Sequence, residues 1–184
     1  MSPTAAPLRS DAKANRAKLI ETARKALTAD PDASLNSIAK TAGVGAGTLY
    51  RHFPNREALI VAVNRAEIEQ LLEIAHELLE QHAPIEAFRL WCHLLIDHVV
   101  RQQGFREVLR AALSQPEQEE AYMPVRMAID RLLRECEAVE AIEMGIEASD
   151  VQLLLSFIWQ IRTPAGERRA HRAVEIVLRG LGAR

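Results

Sequence analysis

A run of hydrogen-bonding side chains lies within the first third of the chain: Thr48, Tyr50, Arg51 and His52. Hydroxyl, guanidinium and imidazole groups of this kind suit phosphate oxygens and the edges of nucleic-acid bases. Gly47 comes directly before them, and a residue without a Cβ lets another backbone approach closely. The residue types in this run therefore indicate contact with a nucleic acid.

These donors belong to a stretch that predicts two short helices joined by a tight turn. Apolar residues recur at i, i+3, i+4 and i+7 over 35–42, and Ser34 is in place to cap the helix they define. Gly43 can leave that helix through the left-handed region, and 46–52 forms the second helix. Together they predict a helix-turn-helix. The alternative is a helical hairpin that binds no nucleic acid, but the outer face of a buried hairpin would be apolar.

Composition favours a soluble, all-α protein. The 184 residues are 48% hydrophobic and include only 8 Gly and 8 Pro, and we find no alternating strand pattern. Cys92 and Cys136 lie far apart and form no CxxC motif, which favours thiols in a reducing compartment. No apolar run approaches the ~18 residues of a membrane span, and the N-terminus lacks an apolar signal core. We expect a cytoplasmic protein with no membrane partner.

Charge is divided unevenly along the chain. Residues 1–65 hold 10 Lys and Arg against 5 Asp and Glu, a net charge of +5, whereas 66–184 hold 13 against 20, a net charge of −7. All four lysines fall in the first part. A basic head on an acidic body is typical of a DNA-binding module joined to a domain that does not bind DNA.

Helical periodicity divides the chain into an arm, a head and a body. We predict a disordered arm over 1–10, a helix-turn-helix DNA-binding domain over 11–65 and a second domain over 66–184. The first helix of the head is expected to begin at Asp11. A long helix from Asn55, its expected N-cap, to Pro84 links the head to the body.

Proline and glycine separate the helices of the body. We expect one helix to end at Gly104 and another to be interrupted near Pro124. Ser149 is placed to cap the next helix, which extends over 151–161. Thr163 and Pro164 then break the chain before a final helix. The body is therefore predicted to be entirely helical.

The run AGVGAGTLYRHFPNREAL, which ends at Leu59, closely resembles the signature of the TetR family of bacterial transcriptional regulators. The resemblance covers residues 11–65, and the remainder resembles the SbtR-type C-terminal domain in its general helical plan. The resemblance implies a three-helix DNA-binding head, a linking helix, and a body that binds an effector and dimerises. It also implies a two-fold homodimer on a near-palindromic, double-stranded operator.

The resemblance and the polar residues described above give the expected DNA-binding set. Its members are Lys40, Gly45, Ala46, Gly47, Thr48, Tyr50, Arg51, His52 and Arg56. Arg56 stands where the family usually has a basic residue that touches phosphate. Gly45 and Ala46 stand where the family often has a capping serine and a longer polar residue, so we expect few base contacts there. Tyr50 has the alternative role of packing against the first helix, and His52 that of capping its own helix.

The body contains aromatic and methionine side chains suited to an adaptable apolar cavity. Taken singly, each is more often plain core. The expected ligand-binding set is Trp91, Leu95, Phe105, Tyr122, Met123, Met127 and Trp159. His93, Asp97 and His98 invite a metal site, but only the first two share a helix face, and spacing places no third ligand. We predict no metal and no cofactor.

The last two predicted helices are apolar on more than one side, since Leu153, Leu154 and Leu155 are consecutive. One face can pack on the body and the other on a second copy, which gives a four-helix dimer interface. The expected interface residues are Val151, Leu154, Leu155, Ile158, Ala170, Val174, Val177 and Leu178. The alternative is a buried terminal hairpin in a monomer.

These features predict a ligand-responsive transcriptional regulator, most simply a repressor that an unknown small molecule releases from its operator. Two other classes are open: a helical protein-interaction module, and a small helical enzyme that uses Cys92, His93 or Asp97. We find no set of nucleophile, base and orienting group and no phosphate-binding loop in the sequence, so we do not expect an enzyme.

Overall fold

The computed structural model of the chain describes residues 6–114 and 122–182, and every regular element in those two ranges is helical. This confirms the predicted all-α fold. In chain order the helices are α1 (Ala6–Ala29), α2 (Leu35–Ala42), α3 (Ala46–His52), α4 (Arg56–Gln81), α5 (Pro84–Arg101), α6 (Gln103–Ala112), α7 (Met123–Ala138), α8 (Ala148–Leu154), a 3-10 helix (Leu155–Gln160) and α9 (Pro164–Gly180).

The chain divides into two compact units. Unit 1 comprises Met1–Ala66 with Gly104–Gln115, and unit 2 comprises Glu67–Gln103 with Pro116–Arg184. The first division falls beside the predicted boundary at residue 65. The segment Gly104–Gln115 is a difference, because the sequence-based division placed it in the body. It groups with unit 1 because α6 buries apolar side chains in the core of that unit.

Local capping explains where the helices of unit 1 begin and end. The Ser37 N–H donates to Ser34 Oγ at 3.1 Å, as expected for an N-cap. Gly43 ends α2 with a φ of 66°, in the left-handed region that glycine adopts at little cost. The Ala58 N–H donates to Asn55 Oδ1 at 2.8 Å and so caps α4. These interactions confirm the predicted roles of Ser34, Gly43 and Asn55.

Helix α1 is longer than the sequence pattern predicts. It begins at Ala6 instead of Asp11, so residues 6–10 of the predicted disordered arm are helical. Residues 1–5 of that arm lie outside the described residues. The helix ends at Ala29, just before Asp30, because a residue that precedes proline disfavours the α conformation.

A single hydrophobic cluster holds unit 1 together. Its buried side chains include Leu19, Leu27, Ile38, Leu49, Phe53, Leu59, Val63, Phe105 and Leu109. Leu49 is the buried residue of α3, and burial of one leucine contributes about 1.5–3 kcal/mol. The orientation of α3 is therefore set by one anchoring side chain, and its remaining residues are available to solvent.

Proline marks the start of three helices in unit 2. Pro84, Pro124 and Pro164 all lie in the first turn of a helix, where a missing N–H costs nothing. Thr163 caps α9, with its side chain accepting from the Gly166 N–H at 3.1 Å. The breaks predicted at Pro84 and Pro164 are confirmed, whereas the interruption predicted near Pro124 is instead the start of α7.

Two further boundaries in unit 2 differ from their predictions. The expected helix over 151–161 stops at Leu154 and continues as a 3-10 helix. Ser149 lies one residue inside α8, and Glu147 occupies the N-cap position with no side-chain hydrogen bond. Helix ends without strong caps are poorly marked in a sequence. The apolar spacing therefore located these elements but did not fix their limits.

Both cysteines are free and buried in unit 2. Burial raises the pKa of the Cys92 thiol above its ordinary range, and burial raises the pKa of Cys136 to about 11. The two thiols are therefore protonated side chains of the core, as the sequence spacing favoured. Among the described residues, no helix combines the length and apolarity that a bilayer crossing demands.

Candidate nucleic-acid interface

Helix α3 turns a polar face to solvent. Leu49 is fully buried, whereas Tyr50 keeps 45% of its surface exposed and Arg51 is also exposed. Thr48 and His52 are half-buried on the same short helix. The predicted donors are thus brought together on one accessible element, which is what recognition in the major groove requires.

The first turn of α3 presents almost no side chain. Gly45 occupies the N-cap position without a side-chain hydrogen bond, and Gly45, Ala46 and Gly47 are all exposed. A Cβ placed on Gly47 would meet no other atom within 4 Å. Packing within the chain therefore does not require this glycine. The short side chains leave a flat surface over which the backbone of a nucleic acid can approach.

Arg51 is partly restrained along its own helix. Its Nε–H donates to the carbonyl oxygen of Gly47 at 3.2 Å. This bond uses one of the five N–H donors of the guanidinium, and the fork at the end of the side chain keeps the others. An exposed guanidinium in a fixed direction is suited to a bidentate contact with guanine.

Arg56 makes contacts that the sequence analysis did not predict. It was expected to touch phosphate, but its Nη1–H donates to the carbonyl oxygen of Ala33 at 2.5 Å and its Nη2–H donates to that of Pro31. These bonds join the start of α4 to the loop between α1 and α2. Because the partners are more than 20 residues apart in sequence, no local spacing could reveal the contact. Arg56 therefore has a structural role within unit 1.

Further basic side chains lie near the turn of the helix-turn-helix. Lys40 is exposed in the last turn of α2. The Nζ of Lys18 lies 3.7 Å from the position that a Cβ on Gly43 would occupy. The guanidinium of Arg16 lies 5.4 Å from the centre of the Phe53 ring. Lys18 lies outside the predicted DNA-binding set, because helical spacing alone does not show which turn it faces.

Two other basic residues of α1 are held by an acidic neighbour. Glu21 accepts hydrogen bonds from Arg24 at 2.6 Å and lies 3.1 Å from the Nζ of Lys25. The hydrogen bond from Arg24 is the largest cause that lowers the pKa of Glu21, to about 2. The positive charges of Arg24 and Lys25 are thus partly neutralised at neutral pH. Lys40 and Lys18 are better placed to attract phosphate.

The predicted ligand-binding residues do not form one group. Trp91 and Leu95 are buried in the core of unit 2, and the Trp91 Nε1–H donates to the Leu71 carbonyl oxygen at 3.0 Å. The rings of Tyr122 and Trp159 are in contact, with centres 4.9 Å apart. These four residues therefore contribute both core packing and a partly exposed aromatic pair.

The other three members of that set lie elsewhere. Phe105 is packed in the core of unit 1, because α6 belongs to that unit, so it does not line a cavity of unit 2. Met123 and Met127 are 40% and 58% exposed. A surface pocket of about 370 Å³ lies in unit 2, lined by Arg126, Met127, Asp130, Glu147, Ala148 and Ser149. Met127 is the member of the predicted set that lines this pocket.

The predicted dimer residues are mostly inside the chain's own core. Six of them are buried in unit 2: Val151, Leu155, Ile158, Ala170, Val174 and Leu178. Val177 is half-buried, and Leu154 is 54% exposed. The same helices carry other exposed apolar residues, Leu153 at 71% and Ile176 at 67%. The six buried side chains are therefore not available to a partner. They were predicted as interface residues because the sequence does not show which face of these helices is turned inward.

Two family models match the sequence. Residues 19–63 match the model of bacterial regulatory proteins of the tetR family, and residues 83–183 match the C-terminal domain of SbtR-like transcriptional regulators. The second match alone spans more than half of the 184 residues. The two matched regions include the helix-turn-helix and most of unit 2.

Individual relatives agree with these matches. An HTH-type transcriptional regulator of Staphylococcus aureus (strain USA300) is 39% identical over 64 residues, which span 34% of this chain and only 35% of that relative. A crystal structure of a TetR transcriptional regulator from Streptomyces coelicolor is 32% identical, with a TM-score of 0.72 over 90% of this chain and 97% of that one. RolR in complex with resorcinol is 19% identical, with a TM-score of 0.68 over 96% and 91% of the two chains, and shares the fold.

Proposed function

The chain belongs to the TetR family of bacterial transcriptional regulators, and we propose that it is a repressor which leaves a near-palindromic operator when a small molecule binds to unit 2. The observation that carries this proposal is the row of exposed and half-buried donors on α3, held to the core by Leu49. A helix with one buried anchoring residue and an outward polar face is suited to recognition of bases in the DNA major groove.

Within this proposal the side chains of α3 divide into two roles. Thr48 and Arg51 contact base edges, since they are the donors with geometry for the major groove. Tyr50, His52 and Lys40 contact phosphate, which adds affinity without sequence preference. Each phosphate that a basic residue neutralises releases counterions, so binding weakens as salt increases.

Dimerisation places two copies of α3 on one operator. A single helix-turn-helix reads too few bases to bind tightly, and two must meet grooves ~34 Å apart. Leu153, Leu154 and Ile176 are the exposed apolar side chains on α8 and α9 that favour a partner. We assign the dimer interface to this face, in place of the six buried residues of the same elements.

The effector is proposed to be a small organic molecule that binds to unit 2. RolR, which shares the fold, was crystallised with resorcinol. The pocket beside Met127 in this chain has a mixed lining of Arg126, Asp130 and Glu147, so it favours a polar or zwitterionic molecule. An effector releases DNA only if it binds the DNA-free state more tightly than the DNA-bound state.

The two alternative classes have less support. TetR-family members are regulators and not enzymes, and no observation on the described residues favours a catalytic role. A protein-interaction module would not need the donors of α3 to be exposed beside a glycine-rich turn. Salt-dependent binding to DNA separates the proposed function from this alternative.

Gly47→Leu is expected to leave folding intact but weaken binding to every DNA sequence by at least about tenfold. The new side chain enters open space, and leucine has a higher helix propensity than glycine by somewhat less than about 1 kcal/mol, so the melting temperature is maintained or higher. The same side chain then occupies the surface that DNA approaches. Fluorescence anisotropy with specific and random duplexes measures the loss.

Ala111→Leu is the matched control for that variant. Ala111 is exposed on α6 of the same unit, outside the helix-turn-helix and outside the proposed dimer interface. It is expected to bind DNA as the wild-type protein does. Equal affinity of Gly47→Leu and the wild type would remove the start of α3 from the interface.

Arg56→Lys is expected to reduce stability by about 1–2 kcal/mol, because one ammonium cannot maintain both hydrogen bonds to Ala33 and Pro31. The positive charge is kept, so any direct phosphate contact would survive. Thermal unfolding followed by circular dichroism measures the effect. Arg24→Lys is the control, because its ion pair with Glu21 tolerates the change. An unchanged melting temperature would contradict the structural role of Arg56 at the loop between α1 and α2.

The repressor mechanism is tested by measuring whether a small molecule releases the protein from DNA. The purified protein is bound to a fluorescent duplex of its own upstream DNA, and metabolites handled by the products of neighbouring genes are added in turn. The proposal predicts that one of them lowers the affinity at least tenfold. An effector that instead tightens binding would identify an activator or corepressor mechanism and contradict the proposed release.

A further inference from the structure

Six polar side chains form a ladder where α5 packs against α9 in unit 2. They recur at four-residue spacing on both helices: Arg89, His93 and Asp97 on α5, and Glu167, His171 and Glu175 on α9. Residues four apart lie on one face of a helix. The ladder is antiparallel, since His93 contacts Glu175 and Asp97 contacts His171. Ionisable side chains of two helices therefore meet inside one unit.

The centre of the ladder is a pair of imidazoles. The His93 and His171 rings are stacked, with centres 4.7 Å apart, and their Nδ1 atoms are separated by 2.5 Å. His93 Nε2 lies 3.3 Å from Glu175 Oε1, and His171 Nε2 lies 3.8 Å from Asp97 Oδ1. Both nitrogens of both rings thus face a specific partner.

The hydrogen atoms available to two neutral imidazoles cannot satisfy these contacts. If His171 donates from Nδ1 to His93, then His93 donates from Nε2 to Glu175, and the His171 Nε2 lone pair faces Asp97. If the Nδ1 bond runs the other way, the His93 Nε2 lone pair faces Glu175. Either arrangement sets a lone pair against a carboxylate, so one ring nitrogen faces its carboxylate without a hydrogen to donate.

The first of these arrangements points to a metal ion. His171, Asp97 and Glu167 each offer one ligand atom, and these atoms lie within 4.8 Å of one another. Behind them, His171 is hydrogen-bonded to His93, and His93 to Glu175. A ligating histidine whose other nitrogen is held by a hydrogen-bonded chain is the usual arrangement in protein metal sites. We propose that Asp97, Glu167 and His171 bind one divalent transition-metal ion, with His93 and Glu175 positioning the imidazole.

The donor set and spacing fit this class of ion. One imidazole nitrogen and two carboxylate oxygens suit Zn²⁺ and its neighbours better than Ca²⁺ or Mg²⁺, which prefer oxygen ligands alone. For bonds of ~2.1 Å a tetrahedral ion separates its ligand atoms by ~3.4 Å. The 3.8 Å between His171 Nε2 and Asp97 Oδ1 therefore needs only a small closure, and the other ligand atoms, within 4.8 Å of one another, must close by no more than about 1.4 Å. All three ligands are half-buried, so a fourth position stays open to water or to a ligand.

Only part of this metal site could be predicted from the sequence. His93 and Asp97 share a face of α5, but spacing supplied no third ligand, and His98 on another face lies 3.4 Å from Glu67 instead. Glu167 and His171 come from α9, about 70 residues further along the chain, and only the packing of α5 on α9 brings them in. This proposal replaces the expectation that the chain binds no metal.

The test is a titration of tag-free, EDTA-treated protein with Zn²⁺ by calorimetry and with Co²⁺ by visible absorption. We expect one ion per chain with a dissociation constant of micromolar or below, and d–d bands that report a nitrogen ligand. Asp97→Asn, Glu167→Gln and His171→Asn should each weaken binding at least tenfold. His93→Asn should weaken it by about 10–100-fold while the Co²⁺ bands persist, as loss of an outer hydrogen bond does.

A matched control is the His76 and Glu80 pair, an exposed histidine and carboxylate at the same spacing on α4. His76→Asn with Glu80→Gln should bind Zn²⁺ as the wild-type protein does. Bound Zn²⁺ at about 100 times its dissociation constant should raise the melting temperature by roughly 5 °C or more. The proposal is overturned if the folded wild-type protein binds no ion below 100 µM. It is also overturned if the ladder variants, checked as folded by circular dichroism, bind as the wild type does.

Discussion

Arg51→Ala is expected to lower the affinity of the dimer for its operator by about thirtyfold or more. A bidentate contact between arginine and guanine is worth about 1–3 kcal/mol, and a two-fold dimer loses it twice. Among the described residues, the hydrogen bond that the variant removes joins Arg51 to Gly47 within α3 itself, so stability should change little. Anisotropy titrations at one fixed salt concentration, on the operator and on a random duplex, measure both affinity and preference.

The comparison with random DNA decides what Arg51 does. The affinity for random DNA should fall much less than the affinity for the operator, because phosphate contacts carry no sequence information. Lys25→Ala is the control, since Lys25 is exposed on α1 and paired with Glu21. If Arg51→Ala binds the operator within threefold of the wild type, the assignment of Arg51 to base recognition is wrong.

Leu154→Arg is expected to produce a monomer whose operator affinity is at least about a thousandfold weaker. The leucine side chain is 54% exposed on α8, so a charge there leaves the core of unit 2 intact but opposes its own copy across a two-fold axis. Without a partner, each α3 binds one half-site alone. Analytical ultracentrifugation and anisotropy measure the two effects.

The loop before α8 supplies a matched control. Met144 is 82% exposed, and Met144→Arg adds the same charge at an apolar surface residue outside the proposed interface. It should remain dimeric and bind DNA normally. A dimeric, DNA-binding Leu154→Arg variant would place the interface elsewhere, and Ile176→Arg then tests whether α9 contributes alone.

The helix-turn-helix was predictable because its determinants are local. Ser34 caps α2 and Gly43 turns the chain within a few residues, and the apolar spacing fixes which side of the helix is buried. The residue types on α3 indicated their exposure for the same reason, since one apolar side chain among polar neighbours leaves only one inward direction. Short-range physics therefore accounts for the position and the polarity of the candidate interface.

Contacts between distant residues could not be predicted in this way. The hydrogen bonds of Arg56, the membership of α6 in unit 1 and the inward face of α9 all depend on packing between elements far apart in sequence. Helices α8 and α9 are apolar on several sides, so spacing could not choose the buried one. The ladder around His171 is formed by residues of two helices, α5 and α9. The sequence of each helix alone contains only some of the proposed metal ligands.

The central claim is that this chain recognises a specific DNA site as a dimer, and footprinting on the DNA upstream of its own gene tests it most directly. The account predicts protection of a near-palindromic site whose half-sites are about one helical turn or a multiple apart, with protection lost as salt rises and in the Arg51→Ala variant. Uniform protection of all sequences, or none at micromolar protein, would contradict it.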